Sequence, residues 1–421
     1  MPHQSYLPNK KSLIALSWII CLVVTLGYSY DFFIRAAPGV MSDGLMKTFN
    51  IDHAQIGWLS SAYFISYTIM QIPAGILLDK YNRKWVISIA TLLCVFGNFL
   101  FSATNHYEIS VLGRILMGVG SAFGFIGAAK MAAMWLPKRF FASFMSFTTM
   151  IGILGGLITD TVLSYLVEHL GWREGNELFT YIGVGIIVLV LLVVKDNKAF
   201  VEHHKTYTPP RLIESLQTTF KMFTNSKFWA AAFIGSALFL PINVLGSLWG
   251  VGFIETKFGL TQANAAYINS ILFVGTAIGF GLAAIISAFT TRYRLLISIS
   301  LASMIIISII LIYVPISQEL FIVLYFLLGL MSGTEAITFT VGRAISPPGT
   351  SGASTASLNM INNIIPVILL PGIGYLLINL GTQIDPHTYS IDSYHKALAV
   401  IVAILVICLP MNLLLPKNIK L

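Results

Sequence analysis

Long apolar runs separated by short polar stretches recur along the whole chain. Most runs are near or above the roughly 20 residues that a helix needs to cross a bilayer, and none alternates as a strand would. Because only helices and closed barrels satisfy every backbone polar group in lipid, the pattern predicts about twelve membrane-spanning helices. The predicted segments are 12–42, 54–78, 85–104, 107–136, 140–167, 178–194, 228–255, 264–289, 295–315, 319–342, 352–380 and 397–415.

The longest polar stretch separates the sixth apolar segment from the seventh. It contains Pro209 and Pro210, followed by a run that predicts a short amphipathic helix, and its adjacent His203 and His204 are interpreted as solvated linker residues. The sequence therefore predicts an N-terminal six-helix bundle, a cytoplasmic linker and a C-terminal six-helix bundle. Two such bundles that rock about a central site are the usual geometry of alternating access. The predicted boundaries are 1–194, 195–227 and 228–421.

Composition supports a membrane protein and disfavours an enzyme. Of the 421 residues, 56% are hydrophobic and only 10% are charged, and the mean hydropathy is +0.82. The first segment is too long and too polar at its end for a cleaved signal peptide. No nucleotide-binding loop, metal cluster or nucleophile motif is present, so the sequence predicts no cofactor, no metal and no ATP-driven transport. The three cysteines are interpreted as small buried hydrophobes: Cys21, Cys94 and Cys408.

The basic residues predict the orientation. With a cytoplasmic N-terminus, eighteen of the twenty-five lysines and arginines fall in the inside loops and tails, as the positive-inside rule requires of an inner-membrane protein with both termini in the cytoplasm. The formal net charge of +8 then reflects topology and contact with anionic lipid, rather than a nucleic-acid partner.

One loop has a specific signature. After the second segment the chain reads GILLDKYNRK (75–84), which resembles the G-x-x-x-D-R-x-G-R-[RK] loop of the major facilitator superfamily. Lys80 replaces an arginine, and Asn82, which tolerates left-handed backbone, replaces the second glycine. The resemblance implies an all-α fold of two pseudo-symmetric six-helix halves and a cytoplasmic gate. It assigns close helix packing to the glycine and a charge relay to the other residues, which here are Gly75, Asp79, Arg83 and Lys84.

Two further motifs extend the comparison. The equivalent loop of the second half, AIISAFTTRYR, keeps Arg292 but has Ala288 at the aspartate position, so a weaker or differently built gate is expected there. RILMG (114–118) resembles the family's R-x-x-x-G element in the fourth helix, which places Arg114 with the gating motifs. No Gly-Pro dipeptide accompanies GILGG (152–156), and this disfavours an efflux carrier.

Several longer strings resemble the bacterial intraphagosomal transporter (Pht) family within that superfamily. They are YDFFIRAAPGVM, YFISYTIMQIPAGILLDK, GSAFGFIGAAKMAAMWLP, LFLPINVLGSLWGVGFI and SGASTASLNM. Members of that family are thought to import amino acids, and some nucleosides, from the vacuole in which intracellular bacteria live. Gly252 departs from the pattern, since a proline is common there.

Charges inside the first segment indicate a binding site. A charge at the bilayer centre costs at least about 2.5 kcal/mol, so each needs a water-filled cavity or a partner. Asp31 and Arg35 are four residues apart and Tyr28 is three before Asp31, so all three share a helical face, and Pro38 could kink the helix beyond them. Either this face lines a cavity in which Arg35 attracts an anion, or the two charges only neutralise each other.

A second pair lies deeper. Lys130 precedes Lys138 by eight residues and Glu335 precedes Arg343 by eight, which puts both at matching depth, roughly 12 Å above the inner basic residues. The superfamily resemblance implies that their helices line the cavity. Lys130 and Glu335 are therefore predicted to pair with each other or to bind the two ends of a zwitterion. The alternative is a static buried salt bridge. Glu335 is the first candidate for proton coupling and Asp31 the second.

Other membrane residues are weaker candidates. Asp160 lies near the outer end of its segment and is ranked below Glu335. Tyr63, Tyr67 and Gln71 form a polar stripe at helical spacing, interpreted as a cavity wall or a helix contact. The predicted additional substrate contacts could equally be hydrogen bonds between helices; they are Asn243, Trp249, Asn359 and Asn363.

Together these features predict a monomeric secondary transporter with a small-molecule substrate. The leading hypothesis is proton-coupled uptake of an amino acid or a similar small polar metabolite. An organic-anion or sugar-phosphate carrier is the alternative, because Arg35 also resembles the first-helix arginine of those branches, although a dianion site usually has a second arginine in the seventh helix. An efflux carrier or a receptor without transport ranks lower.

Overall fold

The computed structural model describes residues 11–197, 222–346, 351–385 and 388–417. Most of the predicted linker, including its amphipathic helix and His203 and His204, lies outside the described residues.

The first six membrane spans, numbered here as helices 1 to 6, form the N-terminal half. Helix 5 contains one turn of π-helix, in which the backbone bonds reach five residues back. The bounds are Lys11–Phe49, His53–Lys80, Arg83–Ala103 and Tyr107–Trp135 for helices 1 to 4; Lys138–Ile158, the π-helix Thr159–Leu163 and Ser164–Leu170 for helix 5; and Trp172–Val193 for helix 6.

Helices 7 to 12 form the C-terminal half, and three of them are interrupted. Helix 7 contains a π-helix, helix 10 breaks at Gly333 and Thr334, and helix 11 breaks at Asn363. The bounds are Ser226–Pro241, the π-helix Ile242–Trp249 and Gly250–Phe258 for helix 7; Gln262–Phe289 for helix 8; Tyr293–Tyr313 for helix 9; Gln318–Ser332 and Glu335–Ile345 for helix 10; Ser351–Asn362 and Ile364–Leu380 for helix 11; and Ile391–Met411 for helix 12, followed by a 3₁₀ turn at Asn412–Leu414.

A short antiparallel hairpin joins helices 11 and 12. Its strands are Gln383–Asp385 and Thr388–Tyr389, with Gln383 opposite Tyr389. We call the end of the bundle that carries this hairpin the hairpin end, and the end that carries Tyr81 and Asn82 the motif end.

Within the described residues, twelve helices are long and apolar enough to span a membrane, which confirms the predicted number. The main differences are at helix ends. Helix 1 continues through Pro38 to Phe49, and helix 6 begins at Trp172 rather than near 178. The Trp172 indole donates to Thr48 Oγ1 at 3.0 Å, so the two polar helix ends are ordered by each other. The hydropathy of a segment does not predict such a contact between distant residues.

The two halves meet closely where helix 2 crosses helix 11. Ser61 Oγ donates to the Val367 carbonyl at 2.7 Å. Gly57 lies so near Leu370 that a Cβ at position 57 would be 2.5 Å from the Leu370 carbonyl oxygen. Only glycine allows this approach, because a Cβ would overlap the facing backbone.

Helices 1 and 5 also pack against the C-terminal half. A Cβ at Gly39 would be 3.1 Å from the Ser247 carbonyl oxygen of helix 7, and Gly156 of helix 5 lies against the ring of Phe273 of helix 8. These contacts, like those of helix 2 with helix 11, lie between mid-depth and the hairpin end. The halves are thus docked at the hairpin end.

Candidate functional site

Arg35 lies in an aromatic cage between helices 1 and 2. Its guanidinium carbon is 4.7 Å from the ring centroid of Phe32, 5.3 Å from that of Phe64 and 5.1 Å from that of Tyr67. Arg35 is only 4% exposed, and no acidic residue in the described part of the chain forms an ion pair with it. Aromatic faces stabilise a buried cation without neutralising it. The cage therefore holds a positive charge that a carboxylate could pair with.

Asp31 does not neutralise Arg35, although both lie on helix 1. Its carboxyl group is buried towards helices 3 and 4, where Cys94 Sγ is 3.8 Å from Oδ1. A Cβ at Gly124 would be only 1.9 Å from Oδ2, so this glycine makes room for the carboxyl group. A cavity of about 20 Å³ adjoins Asp31 within the N-terminal half, which is space for about one water molecule. The Asp31 carboxyl group thus contacts residues of its own half and not the interface between the halves, where a substrate was predicted to bind.

The Tyr28 ring packs against helices 4 and 5, and Tyr28 also lies within electrostatic range of Arg35 and of Glu335 in the C-terminal half. Its ring centroid is 5.4 Å from that of Phe125 on helix 4, and a Cβ at Gly152 on helix 5 would be 2.5 Å from the Tyr28 ring. The i, i+3, i+4 spacing correctly places Tyr28, Asp31 and Arg35 on neighbouring parts of helix 1. It does not reveal that they face different helices.

Arg114 supports helix 1 and is not part of the gate loop. Pro38 has no N–H, so the helical bond to the Ile34 carbonyl is missing. The Arg114 guanidinium donates to that carbonyl and stacks over the Tyr63 ring at 4.9 Å. Arg114 thus lies apart from the 75–84 loop, near the hairpin end, and holds the helix on which Arg35 stands; its assignment to the gating motifs stays a prediction.

Glu335 begins the second part of helix 10, beside the break in helix 11. Its Oε1 accepts a hydrogen bond from Asn362 Nδ2 at 2.6 Å, and Thr338 Oγ1 donates to the Glu335 carbonyl. No lysine or arginine among the described residues pairs with the carboxylate. Asn362 was not among the predicted site residues, although the adjacent Asn362 and Asn363 interrupt an apolar run and signal a helix break.

Asn359 connects the two halves at mid-depth. Its Nδ2 donates to Tyr67 at 3.2 Å and to Gln71 Oε1 at 3.0 Å. The polar stripe of helix 2 thus forms a helix contact and also adjoins the Arg35 cage, because Tyr67 belongs to both. Asn363 donates to the Asn359 carbonyl at 2.7 Å, so it shapes the helix break. Asn243 is fully buried in the π-helix of helix 7, and neither of its side-chain polar atoms has a hydrogen-bond partner among the described residues.

Trp249 closes the hairpin end and does not line a cavity. Its indole donates to the Leu370 carbonyl at 3.1 Å and stacks on His53, with ring centroids 6.0 Å apart. His53 in turn meets Tyr389 edge-on at 4.8 Å. Burial and the neighbouring Asp52 raise the pKa of Tyr389, so the hairpin contributes a neutral phenol. The predicted substrate contact of Trp249 is corrected to an interlock between the halves.

Lys130 pairs with Asp79, not with Glu335. The Lys130 ammonium donates to Asp79 Oδ1, so the helix 4 lysine joins the charge cluster of the 75–84 loop. Helical rise gives the depth of a residue in the membrane but not its direction about the helix axis, and this direction brings Lys130 to Asp79. Lys130 therefore neutralises the motif aspartate, which corrects the prediction that it pairs with Glu335.

We expect Lys130→Gln to alter the gate while leaving substrate affinity within about twofold of wild type. Asp79→Asn should have the same effect, and the exchange Lys130→Asp with Asp79→Lys should restore transport in part, because it rebuilds the pair. Substrate binding and transport rate, measured separately on purified protein and in proteoliposomes, check this. A loss of affinity in Lys130→Gln matching that of Arg35→Gln would contradict it.

The rest of the loop forms a local network. Arg83 lies 3.6 Å from Asp196 and donates to the Asp79 carbonyl at 3.3 Å. Asn82 caps helix 3, with its side chain accepting from the Trp85 N–H, and its φ of −61° is not left-handed. The glycine-like turn expected at Asn82 is therefore corrected to a helix cap. Lys84 extends over the exposed Trp85 ring.

Gly75 does not yet make the close contact that the motif implies. A Cβ built at position 75 would meet no atom within 4 Å, whereas glycines near the hairpin end face backbone at contact distance. At the motif end of helix 2 there is thus open space beside the glycine of the 75–84 loop motif.

In the described ranges no group of three histidine, cysteine, aspartate or glutamate residues could hold a metal ion. The three cysteines are buried, as predicted, and each is a free thiol.

Comparison with known proteins agrees with this geometry. The chain is 22% identical over 395 residues to the probable galactarate/D-glucarate transporter GudP of Escherichia coli strain K12, covering 87% of this chain and 88% of that protein. It is 27% identical over 206 residues to the probable sulfoacetate transporter SauU of Cupriavidus necator, covering 48% of this chain and 47% of that protein.

Among solved structures, the crystal structure of a bacterial homolog to the human lysosomal transporter Spinster, in an inward-facing and occupied conformation, superposes with a TM-score of 0.73. It is 17% identical, and the match covers 94% of this chain and 96% of that chain. The family model of the Major Facilitator Superfamily matches residues 21–371. The chain is therefore a multi-pass membrane transporter, not an enzyme, and it belongs to the Major Facilitator Superfamily.

Proposed function

We propose that the chain is a secondary carrier for a small organic carboxylate, which Arg35 binds and which moves together with a proton on Glu335. The observation that carries the proposal is the caged Arg35, a buried cation without an acidic partner among the described residues. Its guanidinium can form two parallel bonds to one carboxylate, and such bonds are among the stronger ones in proteins.

The charge balance favours a substrate with one negative charge. Lys130 is held by Asp79 and Arg114 by the Ile34 carbonyl, so Arg35 is the remaining cation buried inside the described part of helices 1 to 4. With Glu335 protonated, a monoanion on Arg35 leaves the site neutral. The neutral complex can then pass through the closed state without burying an unpaired charge.

The relatives support an anionic substrate. GudP is named for galactarate and D-glucarate and SauU for sulfoacetate, and all three compounds carry acid groups. This ranks an organic anion above the amino acid that the sequence favoured, while the carboxylate is common to both. Galactarate, glucarate and sulfoacetate each carry two acid groups. A doubly charged substrate of this kind would need a second cation beside Arg35.

An amino acid is the second candidate, and Glu335 favours it. When ionised, this buried carboxylate, held only by Asn362 among the described residues, would pair with a substrate ammonium group. Arg35 and Glu335 would then bind the two ends of a zwitterion across the interface of the halves.

The docked hairpin end supports an inward-facing state. We place the motif end, with most of the basic residues, in the cytoplasm of an inner membrane. In an inward-facing carrier the substrate site opens to the cytoplasm, and the protein acts as a monomer that rocks about the Arg35 region.

The test uses ligand pairs with the same carbon skeleton, such as lactate with alanine, malate with aspartate and phenyllactate with phenylalanine. We expect the hydroxy-acid member of one pair to raise the thermal unfolding temperature of the purified protein, more strongly at pH 5.5 than at pH 7.5, because Glu335 must be protonated. In Glu335→Gln this pH dependence should disappear while binding persists.

Two outcomes would change the conclusion. Stabilisation by the amino-acid member alone, lost in Glu335→Gln, would establish the second candidate. Stabilisation by uncharged nucleosides or sugars, with no response to any carboxylate, would reject both.

A further inference from the structure

Asp160 forms a buried polar chain that links the two halves. It lies in the π-helix of helix 5 and is 1% exposed. Asn269 Nδ2 of helix 8 donates to Asp160 Oδ2 at 2.7 Å, and the Tyr325 hydroxyl of helix 10 donates to Asn269 Oδ1 at 2.8 Å. An aspartate of one half is thus held by an amide and a phenol of the other.

Among the described residues of the C-terminal half, no positive charge faces this carboxyl group. Helix 8 contains no aspartate, glutamate, lysine or arginine, and its remaining titratable residue, Tyr267, is exposed. From helix 10 the neighbouring titratable group is Tyr325, which Asn269 separates from Asp160.

The described residues of the N-terminal half provide no countercharge either. Helix 1 meets this turn at Phe33, whose carbonyl accepts from Thr159. Its nearest charged residues are engaged elsewhere, Arg35 in its aromatic cage and Asp31 beside Cys94. On helix 5 itself, Tyr165, Glu168 and His169 are exposed. Within the described ranges, Asp160 therefore has no cationic partner.

A buried carboxylate with no countercharge is strongly unfavourable, so the docked arrangement selects the neutral acid. Asn269 occupies Oδ2 as a donor, which leaves the proton to Oδ1, an atom that has no hydrogen-bond partner among the described residues. A single free carboxyl oxygen is too few ligands for a hard metal cation, which takes about six. The ligand that fits is a proton.

We propose that Asp160 is a proton-binding site that senses the pH of the compartment at the hairpin end, and that its protonation docks the two halves there. When the halves separate at this end, water reaches the carboxyl group and it ionises; before they dock, it takes up a proton again. The site differs from Glu335 because the hydrogen-bond donor to Asp160 comes from the opposite half, whereas Asn362, the donor to Glu335, lies in the same half. Asp160 therefore sets the position of the rocking equilibrium and carries no proton to substrate. It is independent of the substrate class proposed above.

The experiment measures docking without substrate. Spin labels at Glu168 and Asn264, exposed hairpin-end positions on helices 5 and 8, report the separation of the halves in proteoliposomes between pH 5 and 9. In the wild type we expect the ratio of separated to docked molecules to rise by up to tenfold per pH unit above a midpoint, as one proton requires. In Asp160→Asn, which mimics the neutral acid, the halves should stay docked throughout.

Matched variants keep the result interpretable. Asp392→Asn removes an exposed acid at the same end, paired with Lys396, and should leave the profile unchanged. Tyr325→Phe keeps Asp160 but removes the hydroxyl that orients Asn269, and should move the midpoint without abolishing the response.

An identical pH profile in Asp160→Asn, or no profile in the wild type, would overturn the proposal. So would a response that is lost in Glu335→Gln and kept in Asp160→Asn, or one that sodium shifts relative to choline. The pH dependence of docking is measured without substrate. A failure to bind carboxylates would therefore reject the proposed function and leave the role of Asp160 in docking unaffected.

Discussion

Arg35→Gln is expected to weaken substrate binding by about 30- to 5,000-fold. Removing one partner of a buried charge pair costs roughly 2 to 5 kcal/mol, because the other charge is left unpaired. Without substrate, the partners of the Arg35 charge in the described part of the chain are aromatic rings. The substitution should therefore weaken substrate binding and leave the stability of the free protein unchanged. Calorimetric titration with the carboxylate identified by the ligand pairs measures it.

Two control variants separate charge from geometry. Arg35→Lys keeps the positive charge but lacks the planar fork, and should retain part of the affinity. Arg292→Gln removes an exposed arginine and should bind like the wild type. If Arg35→Gln unfolds at the same temperature as the wild type without ligand and still binds equally well, Arg35 is not the substrate cation.

Gly75→Leu is expected to stop transport while preserving binding in the structure seen here. The side chain enters open space, so folding should be unaffected. In the other state of the cycle, the halves separate at the hairpin end and close at the motif end. The close helix contact that the loop resemblance implies would then form at position 75. Overpacking there costs roughly 1 to 3 kcal/mol, which lowers the population of that state about 5- to 150-fold. Uptake into proteoliposomes should fall accordingly.

The chain offers a matched control for this variant. Gly185 also has no neighbour within 4 Å of a built Cβ, but it is exposed on helix 6, so Gly185→Leu should transport normally. Wild-type transport by Gly75→Leu, with the protein folded, would show that no helix approaches position 75 during the cycle.

The fold was predictable from the sequence because hydropathy acts segment by segment. Each helix had to be apolar over about 20 residues regardless of its neighbours, so twelve spans could be counted without knowing how they pack. The 75–84 loop could be recognised because its residues are contiguous, and the Arg83 side chain donates there to the Asp79 backbone carbonyl. The role of this loop as a gate stays a prediction. The predicted division at 195–227 stays a prediction.

The candidate site was predictable only in part. Arg35 and Glu335 were identified because charge in a membrane is costly, and both proved buried without an ionic partner in the described part of the chain. Their neighbours were not, since Tyr67, Asn359 and Asn362 come from helices whose rotation the sequence does not fix. Lys130 shows the limit most clearly: its depth was estimated from helical rise, yet its direction about the helix axis joins it to Asp79.

By itself, the sequence determined which segments enter the membrane and which charges had to be accommodated there, because the free energy of transfer depends on composition. The tertiary structure decided which partner each charge received. Pro38 removes a donor from helix 1, and Arg114, eighty residues away in sequence, replaces it. Asp31 and Arg35 stand one turn apart and face different helices. Such pairings depend on helix rotation and on contacts between distant segments, and those are set only when the twelve helices pack together.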